Sequence, residues 1–284
     1  MNTSKPSLLL CTNGAPQGLP ALSYGAWLAQ ALQLPVTLLG IIEQGKPAVV
    51  VEQALHSAQA QLEAHNVAYT VTLRQGNVRT VICAEAAPEQ HIVVIGPLGR
   101  PRLRRWLKGR SLRRLIPALR APLLYAPAAR YRLARILLCT GALMRAGSAE
   151  EWALQLARRA GAALTILHVA EPASYHYPTA EKVAAGWHDL LQTNTPQARQ
   201  LGALLAQAQK IGAAATLQVR HGAVVHEIIA EARRDRYDLV VMGSKHSAHS
   251  LRRLYLPDVT AVIMETLDTP VLAVRSGQPY LLTD

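Results

Sequence analysis

Short apolar runs recur along the chain, LLLCT from Leu8, VTLLGII from Val36, HIVVIG from His91 and PLLYA from Pro122, and between them apolar positions return every three or four residues. The short runs read as buried strands and the longer period as amphipathic helices. The pattern predicts strands near 7–12, 36–42, 68–74, 91–96 and 122–126, with helices near 20–33, 50–65, 78–87 and 110–119. Further strands are expected near 135–140, 163–169, 214–220, 238–243 and 270–275. Apolar strands separated by helices indicate an α/β protein whose parallel sheet is covered on both faces. In such sheets ligands bind beyond the carboxyl ends of the strands.

The pattern occurs twice. LLLCTNG at Leu8 is echoed by ILLCTGA at Ile136, VTLLGIIE at Val36 by LTILHVAE at Leu164, and RQGNVRTVICAEA at Arg74 by RHGAVVHEIIAEA at Arg220. HIVVIG and DLVVMG continue the series one residue out of step. An ordered series of this kind marks an internal repeat. Two tandem units are expected, 1–128 and 129–284, joined through APAARYR from Ala126.

Charge is distributed unevenly. The net charge is +12, yet no Asp or Glu lies between Glu89 and Glu150, an interval with 13 Lys and Arg, which leaves 17 basic against 18 acidic residues elsewhere. Most of the excess sits in GPLGRPRLRRWLKGRSLRRLIPALRAPLLY, directly after the strand HIVVI. Gly96, Gly99 and Gly109 are spaced Gly, two residues, Gly, nine residues, Gly. Glycines let backbone N–H groups approach a ligand closely, and a helix opening after them adds its partial positive end, so the segment reads as an anion-binding loop for phosphate. The arginines alone are compatible with nucleic acid, another polyanion or a solvated surface loop.

Three cysteines, Cys11, Cys83 and Cys139, make no disulfide framework and point to a reducing, cytoplasmic setting. Prolines and polar residues interrupt every apolar span between 6 and 42, which argues against a membrane helix, and the short apolar start is not expected to direct export.

With these residues on the page, the chain resembles the universal stress protein family in its tandem, two-domain form. The resemblance rests on the Gly96, Gly99, Gly109 spacing and on the closing strands PLLYA and PVLAVR, and it covers nearly the whole chain. It implies two tandem doubly wound, Rossmann-like domains of the adenine-nucleotide-binding type. It further implies an ATP or related adenine-nucleotide site in the first domain, formed by Asn13, Ile42, Gly96, Gly99, Arg100, Gly109, Arg110 and Ser111, with Mg only as a companion of the nucleotide. Two of these positions depart from the family pattern: Asn13 stands where an aspartate is usual, and Arg110 where Ser or Thr is usual, with Ser111 next. In the second unit His246 and Pro257 replace the second and third glycines and Gly141 the early acidic residue, so that unit is expected to be a structural or differently specialised copy. Tandem members of the family can pair their closing strands within one chain, and a homodimer could form in addition.

Other residues carry less. His221, His226, His246 and His249 could gather at a sheet edge, but no cysteine or carboxylate spacing accompanies them and no metal site is assigned. His168 is expected at a strand end, satisfied by backbone or water, and Cys11 and Cys139 as small buried hydrophobes. The aromatic-rich segment 173–192 could be a lid, a dimer contact or a decorated loop. No nucleophile elbow, Walker loop or zinc-protease motif is present and no catalytic residue is assigned. Non-catalytic nucleotide binding in a stress response is favoured over polyanion binding and over slow nucleotide hydrolysis.

Overall fold

The computed structural model describes residues 6–86, 91–97, 110–141, 149–170, 195–244 and 259–275. The first repeat runs β1 (Ser7–Thr12), α1 (Leu19–Leu32), β2 (Val36–Ile42), α2 (Ala48–Ala64), β3 (Tyr69–Gln75), α3 (Val78–Glu85), β4 (His91–Ile95), α4 (Arg110–Ala118) and β5 (Leu123–Tyr125). The second runs β6 (Arg135–Thr140), α5 (Ala149–Ala160), β7 (Ala163–Ala170), α6 (Pro196–Lys210), β8 (Ala215–His221), α7 (Val224–Arg234), β9 (Leu239–Ser244), α8 (Val259–Thr266) and β10 (Val271–Arg275). All ten strands occupy the places that the apolar runs predict, within one or two residues.

They form one sheet in the order β3-β2-β1-β4-β5-β10-β9-β6-β7-β8. β1 pairs in parallel with β2 and with β4, Leu8 lying opposite Val36 on one side and Ile92 on the other. β6 pairs in parallel with β7 and β9 in the same way. The antiparallel pairing joins β5 to β10, with Tyr125 opposite Val271 and Leu123 opposite Ala273.

Because side chains alternate across a strand, each apolar run supplies two cores. Leu8 and Leu10 pack on the side of α1 and α2, and Leu9 and Cys11 on the side of α3 and α4. In the second repeat Ile136 and Leu138 join the first core with α5 and α6, while Leu137 and Cys139 join the second with α7 and α8. Each core therefore runs under both repeats. Removing a buried leucine such as Leu38 or Leu138 to alanine should cost about 2–5 kcal/mol, the usual sum of lost burial and residual cavity.

Local chemistry fixes where several helices begin. Asn77 caps α3 through Oδ1, which accepts from the N–H groups of Arg79 at 3.1 Å and Thr80 at 3.5 Å. Thr195 caps α6 by accepting from Ala198 N–H at 3.2 Å, with Pro196 in the first turn. At the starts of the neighbouring strands β6 and β9 in the second repeat, Asp238 accepts the N–H groups of Ala134 and Arg135 at 2.8 and 2.9 Å. Tyr24 stacks on Trp27, which meets Tyr131 edge-on, so α1 is packed against the connecting segment as well as the sheet.

Candidate functional site

In the first repeat the chain moves from β1 to β2 in one direction and later places β4 on the opposite side of β1, so strand order reverses between β1 and β4. Loops leaving the carboxyl ends of two such strands diverge to opposite faces and leave a crevice between them. Asn13 to Gly18 follow β1 there, and Gly96 and Pro97 follow β4.

The β1 loop is held by its own side chains. Thr12 Oγ1 accepts the N–H of Gly14 at 3.1 Å and Asn13 Oδ1 accepts the N–H of Ala15 at 3.2 Å. Gly14 adopts φ +75°, and a Cβ there would lie 2.7–2.8 Å from the backbone of Val50 and Val51 in the first turn of α2. Both facts require glycine. Asn13 is only 8% exposed, and its Nδ2 donates across to Glu43 Oε2 at 3.0 Å. Glu43 directly follows β2 and also forms an ion pair with Lys46. The amide of Asn13 is thereby oriented, its oxygen toward the loop backbone and its nitrogen toward a carboxylate.

Gly96 has a tightly packed role of its own. A Cβ on it would approach the Cα of Gly18 at 2.9 Å, the Cβ of Ala21 at 3.0 Å and the carbonyl oxygen of Gly18 at 3.1 Å. The absent side chain lets the start of α1 press against the end of β4, a packing requirement in addition to the anion-loop role expected from spacing. Ile42 is half-buried at the end of β2, and its carbonyl accepts the N–H of Gly76 at 3.0 Å. Asn13, Glu43 and Lys46 are thus joined by hydrogen bonds, and Ile42 adjoins Glu43 in the chain. Gly99, Arg100 and Gly109 lie outside the described residues, as do the side chains of Arg110 and Ser111, whose backbone opens α4.

Sequence reasoning did not single out Glu43. A signal was available: it is the first acidic residue of the chain and ends the uncharged run that begins at residue 6.

The second repeat finishes the equivalent edge differently. Thr140 donates its hydroxyl to the buried carboxyl group of Glu150 on α5, and the ring of His168 meets the carbonyl oxygen of Thr140 through Nδ1 at 3.0 Å. His168 is therefore satisfied by backbone, as expected of a strand-end histidine. His226 contacts Glu227 at 3.1 Å, whereas His246, His249, Pro257 and segment 173–192 lie outside the described residues. Among the described residues no three His, Cys, Asp or Glu side chains gather in a metal-binding arrangement, and no helix is long and apolar enough to cross a membrane. Burial raises the thiol of Cys11 well above its ordinary range and pushes that of Cys139 up to about 12, with the nearby Glu231 adding to the latter. Both are buried, neutral thiols in the core.

Comparison with known proteins gives three results. The model of the universal stress protein family matches residues 133–275. No curated protein matches the chain. Among solved structures, a universal stress protein from Archaeoglobus fulgidus DSM 4304 superposes with a TM-score of 0.68 at 15% identity, covering 95% of this chain and 96% of its own. A functionally unknown protein from Pseudomonas aeruginosa PAO1 superposes with a TM-score of 0.67 at 16% identity, covering 98% and 95%. A universal stress protein in complex with cAMP covers 51% of this chain and 98% of its own, at 23% identity and a TM-score of 0.38.

Proposed function

We propose, for a chain that belongs to the universal stress protein family, that its first unit, residues 1–128, binds ATP or a related adenine nucleotide without turning it over. The second unit, 129–284, then serves as a structural or differently specialised partner, and the protein acts in a cytoplasmic stress response. The observation that carries this reading is the Gly96, Gly99, Gly109 spacing on the segment leaving β4, beside the reversal of strand order. Phosphates would lie toward that segment, where backbone N–H groups, the opening of α4 and the arginines are all favourable to anions. Asn13 and Ile42 would border the nucleoside end, and Mg would accompany the phosphates only as the nucleotide brings it. Pairing of β5 with β10 is read as the intramolecular form of closing-strand association, with a homodimer possible in addition.

Mass identification of nucleotide extracted from the purified protein, followed by calorimetric titration with ATP, tests the reading. One site per chain is expected, and no product should be released during incubation. Two equivalent sites would show that the second unit also binds. Absence of any binding would reject the nucleotide reading.

A second reading draws on Arg113 and Arg114, which are exposed on α4 with no acidic residue nearby in sequence. If they track a nucleic-acid backbone, affinity will fall steeply with salt, by about 0.9 logarithmic units per logarithmic unit of salt for each phosphate neutralised.

A further inference from the structure

We propose that the surface where the connecting segment meets the start of β9 binds single-stranded nucleic acid, with Tyr131 as the platform for a base and the arginines around it holding phosphates. This surface uses none of the residues assigned to the nucleotide. Two stretches far apart in sequence, ARYRLAR from Ala129 and RRDRYD from Arg233, carry six arginines and two aspartates. The fold lays them side by side. Arg130 Nη1 donates to the carbonyl oxygen of Tyr237 at 3.5 Å, and Arg135 pairs with Asp235 at 3.1 Å while lying 5.4 Å over the Tyr237 ring. Both aspartates are spent on these contacts. Asp238 already holds the N–H groups of Ala134 and Arg135, and its 3.7 Å approach to Arg132 leaves that arginine's side chain 69% exposed. Arg233 and Arg236 are exposed and enter no ion pair among the described residues. A positive excess therefore faces solvent, and exposed pairs are weak enough for phosphate to compete with them.

Charge alone would suit any polyanion; the aromatic ring narrows the choice. Tyr131 is 62% exposed amid these arginines, and Trp27 of α1 meets it edge-on at 6.4 Å, so the ring is braced from one side and open to solvent. A face kept only for solubility gains nothing from an exposed aromatic ring. Aromatic rings set among basic side chains hold single strands, because an unpaired base can stack on the ring while the backbone tracks the charges. Bases in a duplex are already stacked on one another, and an anionic lipid surface offers no base at all. Either of those would use the arginines and leave Tyr131 idle.

Titration of the full chain against a labelled uridine oligomer of about 20 nucleotides, a duplex DNA of equal length and phosphatidylserine vesicles, each across a salt series, tests the assignment. The oligomer should bind more tightly than the duplex or the vesicles, with affinity falling by about 0.7 logarithmic units per logarithmic unit of salt for each phosphate neutralised. A thymidine oligomer should follow it, since stacking and phosphate pairing are common to both. Tyr131→Ala should weaken oligomer binding about tenfold with the salt slope unchanged, the scale of one stacked base, and Tyr131→Phe should retain most of the affinity. Arg132→Gln, Arg233→Gln and Arg236→Gln together should instead flatten the slope by about 2. Arg113→Gln with Arg114→Gln should change neither, which separates this surface from α4. Circular dichroism would confirm the fold of each variant, and if Tyr131→Ala fails to fold, the Arg132, Arg233 and Arg236 variant still decides. No binding of the oligomer at low salt, equal or tighter binding of duplex or vesicles, or a slope unmoved by those three arginines would overturn the assignment. So would a folded Tyr131→Ala that binds as well as Tyr131→Phe.

Discussion

Gly96 closes β4 of the first repeat against the backbone of Gly18, whereas Gly243, late in β9 of the second, meets no described atom within 4 Å of where its Cβ would be. The last residues of β1 and β6 are used differently as well. Thr12 secures its own loop by accepting the N–H of Gly14, while Thr140 hands its hydroxyl to Glu150 on a neighbouring helix. One edge is closed by backbone meeting backbone, with Asn13 and the partly exposed Glu43 at its rim; the other is tied together by a buried carboxyl group. A third pair of positions repeats with opposite emphasis. Arg74 reaches Glu85 at 2.6 Å with its side chain 52% exposed, and the equivalent Arg220 reaches Glu231, which is 0% exposed and also contacts Arg234 and Tyr237. The same strand-to-helix ion pair has become part of the interior in one copy and remained at the surface in the other. Repeats therefore preserve where a chain turns and packs more faithfully than what its polar groups do.

The ion pairs offer the largest test of that contrast. Arg220→Ala should destabilise the protein by about 2–3 kcal/mol, because it removes one of the two arginines that compensate a buried carboxylate and leaves only Arg234 and the Tyr237 hydroxyl beside it. Arg74→Ala should cost less than about 1 kcal/mol, the range of exposed pairs. Equal losses in urea denaturation would mean that the two pairs are energetically alike despite their burial. Next comes the glycine comparison: Gly96→Val should cost about 1–3 kcal/mol by forcing α1 off β4, and Gly243→Val should stay within about 0.5 kcal/mol. A smaller effect separates the helix starts. Asn77 caps α3 with its side chain, but Ala223 in the equivalent place before α7 cannot. Asn77→Ala should cost about 1 kcal/mol and Ala223→Asn should gain up to that amount; a stability change of the same sign in both would break the comparison.

The smallest expected effect is a pH dependence. His91 begins β4 where Asp238 stands ahead of β9, and partial burial holds its pKa below the ordinary histidine value, with hydrogen bonding and charge from Glu85 acting in the opposite direction. The unfolded chain then binds the proton more readily, so stability is greatest above the ordinary value of about 6.5 and declines as pH falls through it. Denaturation midpoints of the natural protein and His91→Gln should converge above about pH 7.5 and separate toward pH 5.5. A midpoint difference that is constant across this range would assign His91 a purely structural role.

The strands were the most legible part of the chain. A strand such as LLLCT is apolar on both faces, and its even and odd residues do serve two different cores. His168 and the two buried cysteines were also foreseeable from their place in such runs. Contacts between residues far apart in sequence were not. Asn13 and Glu43 are separated by 30 positions, and no periodicity says that two adjacent strands will bring an amide and a carboxylate together at their ends. The glycine spacing was legible as a motif, but the tight fit of Gly96 on Gly18 depends on the approach of α1, which spacing does not encode. Glu231 was hidden for a related reason: in sequence it matches Glu85, and only the packing of α7 removes it from water.

The antiparallel joint between β5 and β10 has a geometric consequence for any ligand. Every strand of the first repeat runs one way and every strand of the second runs the other, so their carboxyl ends emerge at opposite poles of the sheet. A single small molecule cannot bridge the two poles. Whatever occupies one can influence the other only by shifting the strands and helices between them, through the joint of Leu123–Tyr125 with β10 and the two cores that run under both repeats.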